Sequence, residues 1–312
     1  MAVFELSNHF DSFFRRLNPG ASFEATASSE YNSIKGLIED RNGLAKELRP
    51  RCFLQGSYKQ DTAIYTINDV DVVALCEELS QGEGPSGGGQ TYNRDNIFRI
   101  IAAPLLNDRR YRDKVRYHGG SMCIKVDLGI KVEILPAVYK RGNNDFTKEP
   151  FRIHRPGKGW DDGYARYHQR WLSYKNRAEA TGGNFVPLIK VVKHLRSHYR
   201  LDAVSFHIEC LLYSLPDAVF RGSPADSISQ VLNHIAATPA DAWYGRYLPT
   251  PCGDGRDIFT AAEWSRPSWE AFHRLLTVWA RATRVATQAL QRPQAIEAWQ
   301  LLLGKDFFPS EA

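Results

Sequence analysis

The most informative part of the sequence is residues 53–76, FLQGSYKQDTAIYTINDVDVVALC. A short apolar strand leads into Gly56-Ser57, and Asp69-Val-Asp71 follows twelve residues after Ser57, inside a second apolar run. Side chains at positions i and i+2 of a strand project from the same face, so we expect the two carboxylates to point together, about 7 Å apart along the strand. Carboxylates held together in a half-buried place repel each other, and a divalent cation removes that cost. Hard oxygen ligands favour Mg²⁺, or Mn²⁺, and such ions also bind substrate phosphates.

A third carboxylate is expected from a neighbouring strand. Residues 130–137, IKVEILPA, alternate so that Val132 and Ile134 face a core and Glu133 faces the opposite side. Asp127, on the preceding predicted strand, competes with Glu133 for this role, and the sequence leaves the choice open. Two ions held by three carboxylates suit an in-line displacement at phosphorus.

The Gly-Ser pair supplies the phosphate-binding part of the prediction. Gly56 permits a backbone turn that approaches a phosphate closely. Successive backbone N–H groups and the Ser57 hydroxyl can then hold triphosphate oxygens. A DxD in a strand or a Gly-Ser pair is weak evidence alone, but their combination with a later acidic strand predicts a nucleotidyl transfer site.

This combination resembles the nucleotidyltransferase superfamily of polymerase β, the CCA-adding enzymes and the oligoadenylate synthases. Within it, the chain most resembles the bacterial cGAS/DncV-like nucleotidyltransferases (CD-NTases) of CBASS anti-phage signalling. The resemblance extends to Lys193 in PLIKVVKHL, to Ser205-Phe206 at the start of SFHIECLL, and to the Trp299–Phe307 stretch WQLLLGKDF. It covers roughly residues 50–308, and only its GS/DxD part is sharply specific.

The resemblance implies a set of site residues. Asp69, Asp71 and Glu133 are expected to be catalytic and to hold Mg²⁺. The expected nucleotide-binding residues are Gln55 at a sugar, Gly56 and Ser57 at the donor triphosphate, Lys193 and Ser205 also at the triphosphate, and Phe206 stacked on a base. Two residues depart from the family pattern, because the third acid is usually Asp rather than Glu133 and a Gly commonly stands where Asp61 precedes Thr62.

The resemblance also implies the reaction and its partners. A ribose hydroxyl attacks the α-phosphate of a nucleoside triphosphate such as ATP or GTP, without a template, and the product is a cyclic di- or trinucleotide. No nucleic acid is required, and a regulatory protein or a CBASS effector that acts through the product is an implied partner. The alternatives are another acceptor (a tRNA 3′ end, an oligoadenylate or a protein) and a catalytically silent nucleotide-binding sensor.

The predicted fold is α+β, with a polymerase-β-like core over residues 1–150, a helical domain over residues 151–312, and the active site in the cleft between two lobes. Strand signals vanish after Pro150, where five amphipathic segments predict helices. The predicted elements are helices over 5–18, 28–48, 94–106, 185–199, 206–220, 227–236, 268–290 and 293–303, and strands over 52–54, 70–75, 122–128 and 130–138.

Composition limits the other possibilities. The 312 residues are 43% hydrophobic and 24% charged, which is typical of a globular protein. No apolar stretch of about 18 residues is present, so no membrane span is expected. Five scattered cysteines without a CxxC pair suit a reducing cytoplasm. The net charge of +5 is too small for a protein that coats nucleic acid.

Three weaker patterns complete the sequence. The Gly-rich segment 80–90 predicts a surface loop, and its P-loop-like spacing lacks the essential Lys at Gln90. The basic run 109–116, RRYRDKVR, is interpreted as a solvated face or as a contact for a polyanion, and the sequence does not choose. His194 and His198 are expected on a solvated helix face.

Overall fold

A computed structural model describes residues 4–80 and 92–312. Almost all of the predicted Gly-rich loop lies outside these described residues. The chain forms two compact units. The sheet unit comprises Gly20–Gln60 and Thr66–Gln169, and the helical unit comprises the described residues up to Pro19, Asp61–Tyr65 and Arg170–Ala312.

The sheet unit is built on one mixed sheet. Its described strands are β1 (Pro50–Gln55), β2 (Asp69–Ser80), β3 (Val115–Arg116), β4 (Ile124–Asp127), β5 (Lys131–Tyr139), β6 (Phe151–Arg155) and β7 (Gly159–Gly163). The main strand order is β1-β2-β5-β4-β3, and β6 pairs with both β5 and β7. Strands β2 and β5 are parallel, and all other pairs are antiparallel.

The described helices are divided between the units. The sheet unit contains α2 (Ala21–Ile38), α3 (Gly56–Lys59) and α4 (Arg94–Asn107), with a 3-10 turn at Lys46–Leu48. The helical unit contains α1 (Ser7–Leu17), α6 (Ala178–Thr181), α7 (Phe185–His198), α8 (Ser205–Tyr213), α9 (Pro224–Ala236), α10 (Ala240–Tyr244), α11 (Arg266–Thr287) and α12 (Arg292–Leu303), with a 3-10 turn at Asp217–Phe220. Helix α5 (Ala165–Lys175) runs from one unit into the other.

The two faces of β2 differ, and this difference creates the site. Val70, Val72 and Ala74 are fully buried in a core that also contains residues of α2 and α4. The opposite face carries Asp69 and Asp71 and then becomes apolar, where Val73 and Leu75 join a smaller cluster with Ala137, Tyr139 and Phe151. Polar side chains are therefore confined to the beginning of this face.

The β6–β7 hairpin contradicts the prediction that strands end at Pro150. These strands lack apolar alternation, and ion pairs link them instead: Arg152 with Asp162 at 2.8 Å and Arg155 with Asp161 at 2.8 Å. Charged cross-strand pairs stabilise a hairpin but leave no hydrophobic signature in the sequence.

The helical unit also takes residues from the predicted first domain. Helix α1 and the segment Asp61–Tyr65 belong to it, and the sheet unit continues past residue 150 to Gln169. Packing between residues distant in the chain decides both assignments, so a single boundary at 150 does not describe the division.

The predicted helix over 28–48 is also too long. Helix α2 ends at Ile38, where a turn begins in which Asp40 accepts hydrogen bonds from the backbone N–H groups of Asn42 and Gly43. Among the described residues, no helix is long and apolar enough to cross a membrane.

Candidate active site

A row of polar side chains crosses four strands of the sheet unit. In the strand register, Gln55 of β1 pairs with Asp71 of β2, Asp71 with Glu133 of β5, and Glu133 with Lys125 of β4. Residues paired across neighbouring strands project from the same face. Asp69 lies on the same face as Asp71, because buried Val70 separates them.

The carboxylates act on one another electrostatically. The pKa of Asp71 is raised to about 7, chiefly by burial and also by the nearby negative charges of Asp69 and Glu133. Repulsion of this kind requires the three groups to share one region of the face. The negative charge of these three carboxylates is therefore not fully balanced by nearby positive charge, and this imbalance favours the binding of a divalent cation.

The strand register distinguishes the two possible third carboxylates. Glu133 lies directly opposite Asp71 on the adjacent strand. Asp127 is the last residue of β4 and pairs with Lys131 of β5, and β5 separates β4 from β2. The Asp127 carboxylate instead accepts a weak hydrogen bond from the Gly129 backbone N–H at 3.5 Å.

Two further groups border Glu133. The Lys125 ammonium forms an ion pair with the Glu133 carboxylate at 2.8 Å, and the Lys125 side chain is 58% exposed. Burial and the charge of Glu133 raise the pKa of the Cys123 thiol to about 12, so this thiol is neutral at ordinary pH. Glu133 is thus bordered by an exposed cation and by a neutral thiol.

The side-chain types at this site suit a divalent cation, but their positions in the structure do not yet form a coordination site. Asp69, Asp71 and Glu133 offer the oxygen ligands that Mg²⁺ prefers. Among the described residues, however, no three His, Cys, Asp or Glu side chains are grouped closely enough to hold a metal ion as they stand. The Glu133 Oε1 atom is paired with Lys125 in this arrangement.

Gly56 lies against the carboxylate row. Its φ of +70° is in the left-handed region, and a β-carbon built there lies 1.9 Å from Asp71 Oδ2. Only glycine accommodates both conditions. Ser57 follows in the short helix α3, half-buried, directly after the end of β1.

The other predicted nucleotide-binding residues lie in the helical unit. Lys193 of α7 is buried, with 2% of its surface exposed. Its ammonium donates to Thr62 O at 3.1 Å, Thr62 Oγ1 at 3.0 Å and Glu209 Oε1 at 2.5 Å. Burial lowers the pKa of Lys193, and the Glu209 carboxylate opposes that shift.

Ser205 and Phe206 are the first two residues of α8. Ser205 is half-buried, and its hydroxyl accepts a hydrogen bond from Arg196 Nη1 at 3.2 Å. The helix N-cap is Val204, so Ser205 does not cap the helix. The guanidinium of Arg256 lies 5.3 Å from the centre of the Phe206 ring, where a cation–π contact forms. Arg256 is in turn held by Asp254 at 2.7 Å.

Sequence reasoning did not identify Lys125, Thr62 or Glu209. A signal for Glu209 was present, since a lone acidic residue in the apolar helix SFHIECLL requires a buried partner. Lys125 carries no such signal, because an exposed lysine on a strand is ordinary until its cross-strand partner is known.

Comparisons with known proteins identify the family. Residues 4–176 match the family model of the Second Messenger Oligonucleotide or Dinucleotide Synthetase domain, and residues 173–272 match the cGAS/DncV-like nucleotidyltransferase C-terminal helical domain. The chain is 28% identical, over 67% of its length and 78% of the relative's, to a cyclic UMP-AMP synthase of Rhodothermus marinus.

Solved structures that share the fold include two synthases from different bacteria. The Rhodothermus marinus CdnE c-UMP-AMP synthase with Apcpp and Upnpp has a TM-score of 0.66 at 21% identity, covering 88% of this chain and 96% of that one. The E. coli MS115-1 CdnC:HORMA-deltaN complex has a TM-score of 0.71 at 15% identity, covering 97% and 98%. The predicted α+β nucleotidyltransferase fold with a C-terminal helical domain is confirmed.

Proposed function

The chain belongs to the family of second-messenger oligonucleotide or dinucleotide synthetases and is a nucleotidyltransferase that makes cyclic oligonucleotides; we propose that it joins nucleoside triphosphates without a template into a cyclic di- or trinucleotide. Pyrophosphate is released at each bond formed. The observation that carries this proposal is the row of Asp71 and Glu133 in register, with Asp69 on the same face and Gly56 against Asp71.

The carboxylates bind and orient the reacting groups. Asp69, Asp71 and Glu133 would hold Mg²⁺, which when bound would supply positive charge for the triphosphate and would lower the pKa of the attacking ribose hydroxyl. One of the three carboxylates accepts the hydroxyl proton as the oxygen attacks the α-phosphate. The α-phosphate bond to the leaving pyrophosphate breaks in the same in-line displacement.

Neighbouring residues hold the donor nucleotide. The Ser57 hydroxyl and adjacent backbone N–H groups bind triphosphate oxygens, and Gly56 keeps the backbone close enough to do so. Gln55 lies in register with Asp71 and contacts a sugar hydroxyl. Ser205 contributes to the triphosphate site, and Phe206 offers a ring face on which a base stacks.

The substrates are expected to include a pyrimidine nucleotide. This expectation rests on the relative described above as a cyclic UMP-AMP synthase. The solved structure of the Rhodothermus marinus synthase with Apcpp and Upnpp has the same fold, which supports nucleoside triphosphates as substrates here. ATP together with UTP is therefore the first substrate pair to test, and ATP with GTP the second.

The cellular setting follows from the same family. We place the enzyme in the cytoplasm, where its five buried cysteines, none of which forms a disulfide, remain reduced. Its product acts as a signal in anti-phage defence through an effector. A protein that regulates synthesis is a further proposed partner, which the HORMA complex of the E. coli CdnC supports.

The test is synthesis from labelled nucleotides. Purified protein is incubated with Mg²⁺ and each pair of α-³²P-labelled nucleoside triphosphates, and the products are treated with phosphatase and then with linkage-specific nucleases. A phosphatase-resistant product that keeps the α-phosphate of both nucleotides, each labelled in turn, supports a ring, because a linear product loses the α-phosphate at its 5′ end. Products that lose the label of one nucleotide to phosphatase, from every pair, contradict it.

A further inference from the structure

The segment Asp61–Tyr65 joins the two catalytic motifs and is anchored in the helical unit. It follows Gly56-Ser57 and precedes Asp69-Val-Asp71 in the chain, yet its packing partners are helices α1, α7 and α8. The Tyr65 backbone N–H donates to Leu17 O of α1 at 2.9 Å. Ala63 and Ile64 are buried, with 5% and 4% of their surfaces exposed.

A buried polar cluster holds the centre of this segment. Thr62, Lys193 and Glu209 are each at most 2% exposed. Thr62 Oγ1 donates to Glu209 Oε1 at 2.9 Å, and the Lys193 ammonium contacts Thr62 O, Thr62 Oγ1 and Glu209 Oε1. We call these three residues the Thr62 clamp.

The clamp uses the whole donor capacity of Lys193. A protonated lysine has three N–H donors and no acceptor. Three oxygen acceptors lie between 2.5 and 3.1 Å from Lys193 Nζ, and all belong to the clamp. To donate to a triphosphate, Lys193 must break at least one of these hydrogen bonds. A buried oxygen would then lose a donor, which costs free energy.

A second cation holds the beginning of the segment. Lys190 Nζ lies 2.6 Å from Asp61 Oδ1 and 2.9 Å from Asn18 Oδ1. Asp61 has a φ of +55°, a left-handed conformation that glycine adopts most easily. The Asp61 carboxylate is thus turned to Lys190, which explains how an acidic residue stands where the family commonly has Gly.

We propose that Lys193 is a positioning residue, which acts through Thr62 on the chain between the two catalytic motifs and makes no contact with the triphosphate. This inference rests on the proposed function and revises the role that the family resemblance gives to Lys193. Glu209 lies four residues after Ser205 on α8, so the same helix presents a nucleotide-binding residue and a clamp residue on one side. Because Thr62 is held in place, the chain that leads into β2 at Asp69 is also held in place. The positions of the Asp69 and Asp71 carboxylates are thereby fixed.

The test separates positioning from phosphate binding. Thr62→Val removes the hydroxyl and keeps the shape of the side chain. Thr283→Val is the matched control, because Thr283 is also fully buried and hydrogen-bonded, to Ala280 O and Ser229 Oγ, in the α9–α11 region. Lys193→Met with Glu209→Gln removes both buried charges together, which avoids an unpaired charge that could unfold the protein.

Activity and nucleotide binding are measured separately. We expect Thr62→Val to lower kcat by roughly tenfold or more, because small misplacements of reacting groups are expensive, while the Kd of a non-hydrolysable nucleoside triphosphate changes by less than about threefold. The Lys193→Met/Glu209→Gln pair should have the same pattern and should add little to Thr62→Val, since residues that act as a unit are not additive. Thr283→Val should leave kcat within about twofold.

The opposite pattern overturns the proposal. If the Lys193→Met/Glu209→Gln pair weakens triphosphate binding more than about tenfold while Thr62→Val retains full kcat, Lys193 binds phosphate directly. Amide hydrogen exchange gives a readout that does not depend on activity. Thr62→Val, but not Thr283→Val, should accelerate exchange of the Ile64 and Tyr65 amides; unchanged exchange overturns the clamp even if wild-type protein makes no nucleotide product.

Discussion

A β-carbon added to Gly56 would lie 1.9 Å from the Asp71 Oδ2 atom, so the Gly-Ser motif lies directly against the DxD motif. Eleven residues separate Ser57 from Asp69 in the chain, but β1 and β2 pair antiparallel and bring the motifs side by side. Glycine is therefore required at position 56 for two reasons. Its φ is +70°, and there is no space for a β-carbon beside Asp71.

Gly56→Ala should move the Asp71 carboxylate and abolish most activity. We expect kcat to fall by about 100-fold or more, since displacement of a reacting group by about 1 Å has that effect. The control is Gly157→Ala, at a φ of +75° with no atom within 4 Å of the added carbon. Both variants bear backbone strain, so only the contact with Asp71 distinguishes them, and equal activities would show that this contact is unimportant.

Asp71 should make the metal-free protein less stable as pH rises. Its pKa is raised to about 7 from an ordinary value of 3.8, so the folded protein binds this proton more tightly than the unfolded chain does. The contribution to stability is full below the unfolded pKa and is lost as pH rises through about 7. Asp71→Asn should therefore raise Tm, relative to wild type, more at about pH 8 than at about pH 5.

Mg²⁺ should reverse this loss. Added Mg²⁺ should raise the Tm of wild type at about pH 8 and have little effect on Asp71→Asn. Thermal unfolding with and without Mg²⁺, at both pH values, checks this prediction. A Tm difference between the two proteins that is independent of both pH and Mg²⁺ would contradict the electrostatic account of the site.

The third carboxylate can be identified by paired substitutions. Glu133 lies in register with Asp71, whereas Asp127 lies opposite Lys131. Glu133→Gln should reduce kcat by roughly 100-fold or more, because it removes a charge from the cation site, and Asp127→Asn should retain activity within about threefold. Greater loss in Asp127→Asn than in Glu133→Gln would reverse the assignment.

His194 should make the helical unit sensitive to acid. It is fully buried, its Nε2 lies 2.8 Å from Leu303 O, and burial lowers its pKa to about 4. The unfolded chain takes up this proton near pH 6.5 and the folded protein does not, so stability falls as pH decreases from about 6.5 to about 4.

Substitution of His194 measures that effect. The Tm advantage of wild type over His194→Gln should shrink between about pH 7.5 and about pH 5, because glutamine does not titrate. His198→Gln is the matched control, since His198 is exposed on the same helix. The same pH dependence in both variants would indicate a general effect of acid rather than the buried imidazole.

The common face of Asp69 and Asp71 could be predicted from the sequence because strand periodicity is local. The pairing of Asp71 with Glu133 could not be derived in this way, because it depends on which strands become neighbours and in which register. The same limit applied to Lys125, whose role appears only once β4 lies beside β5.

Burial of charged residues was the hardest property to predict. The helix over 185–199 was expected from its apolar spacing, and α7 confirms it, but Lys193 and His194 lie within the buried surface of that helix. The expectation that His194 is solvated was wrong, because Leu303 and Tyr65, distant in sequence, supply its partners. Partners of this kind cannot be inferred from helical periodicity alone.

The most direct test of the central claim is pyrophosphate release by the double variant Asp69→Asn/Asp71→Asn. Wild type, with Mg²⁺ and all four nucleoside triphosphates, should release pyrophosphate as product forms. The double variant should release none above background while it retains the fold, as judged by circular dichroism. Continued release at the wild-type rate would mean that nucleotide transfer does not take place at these carboxylates.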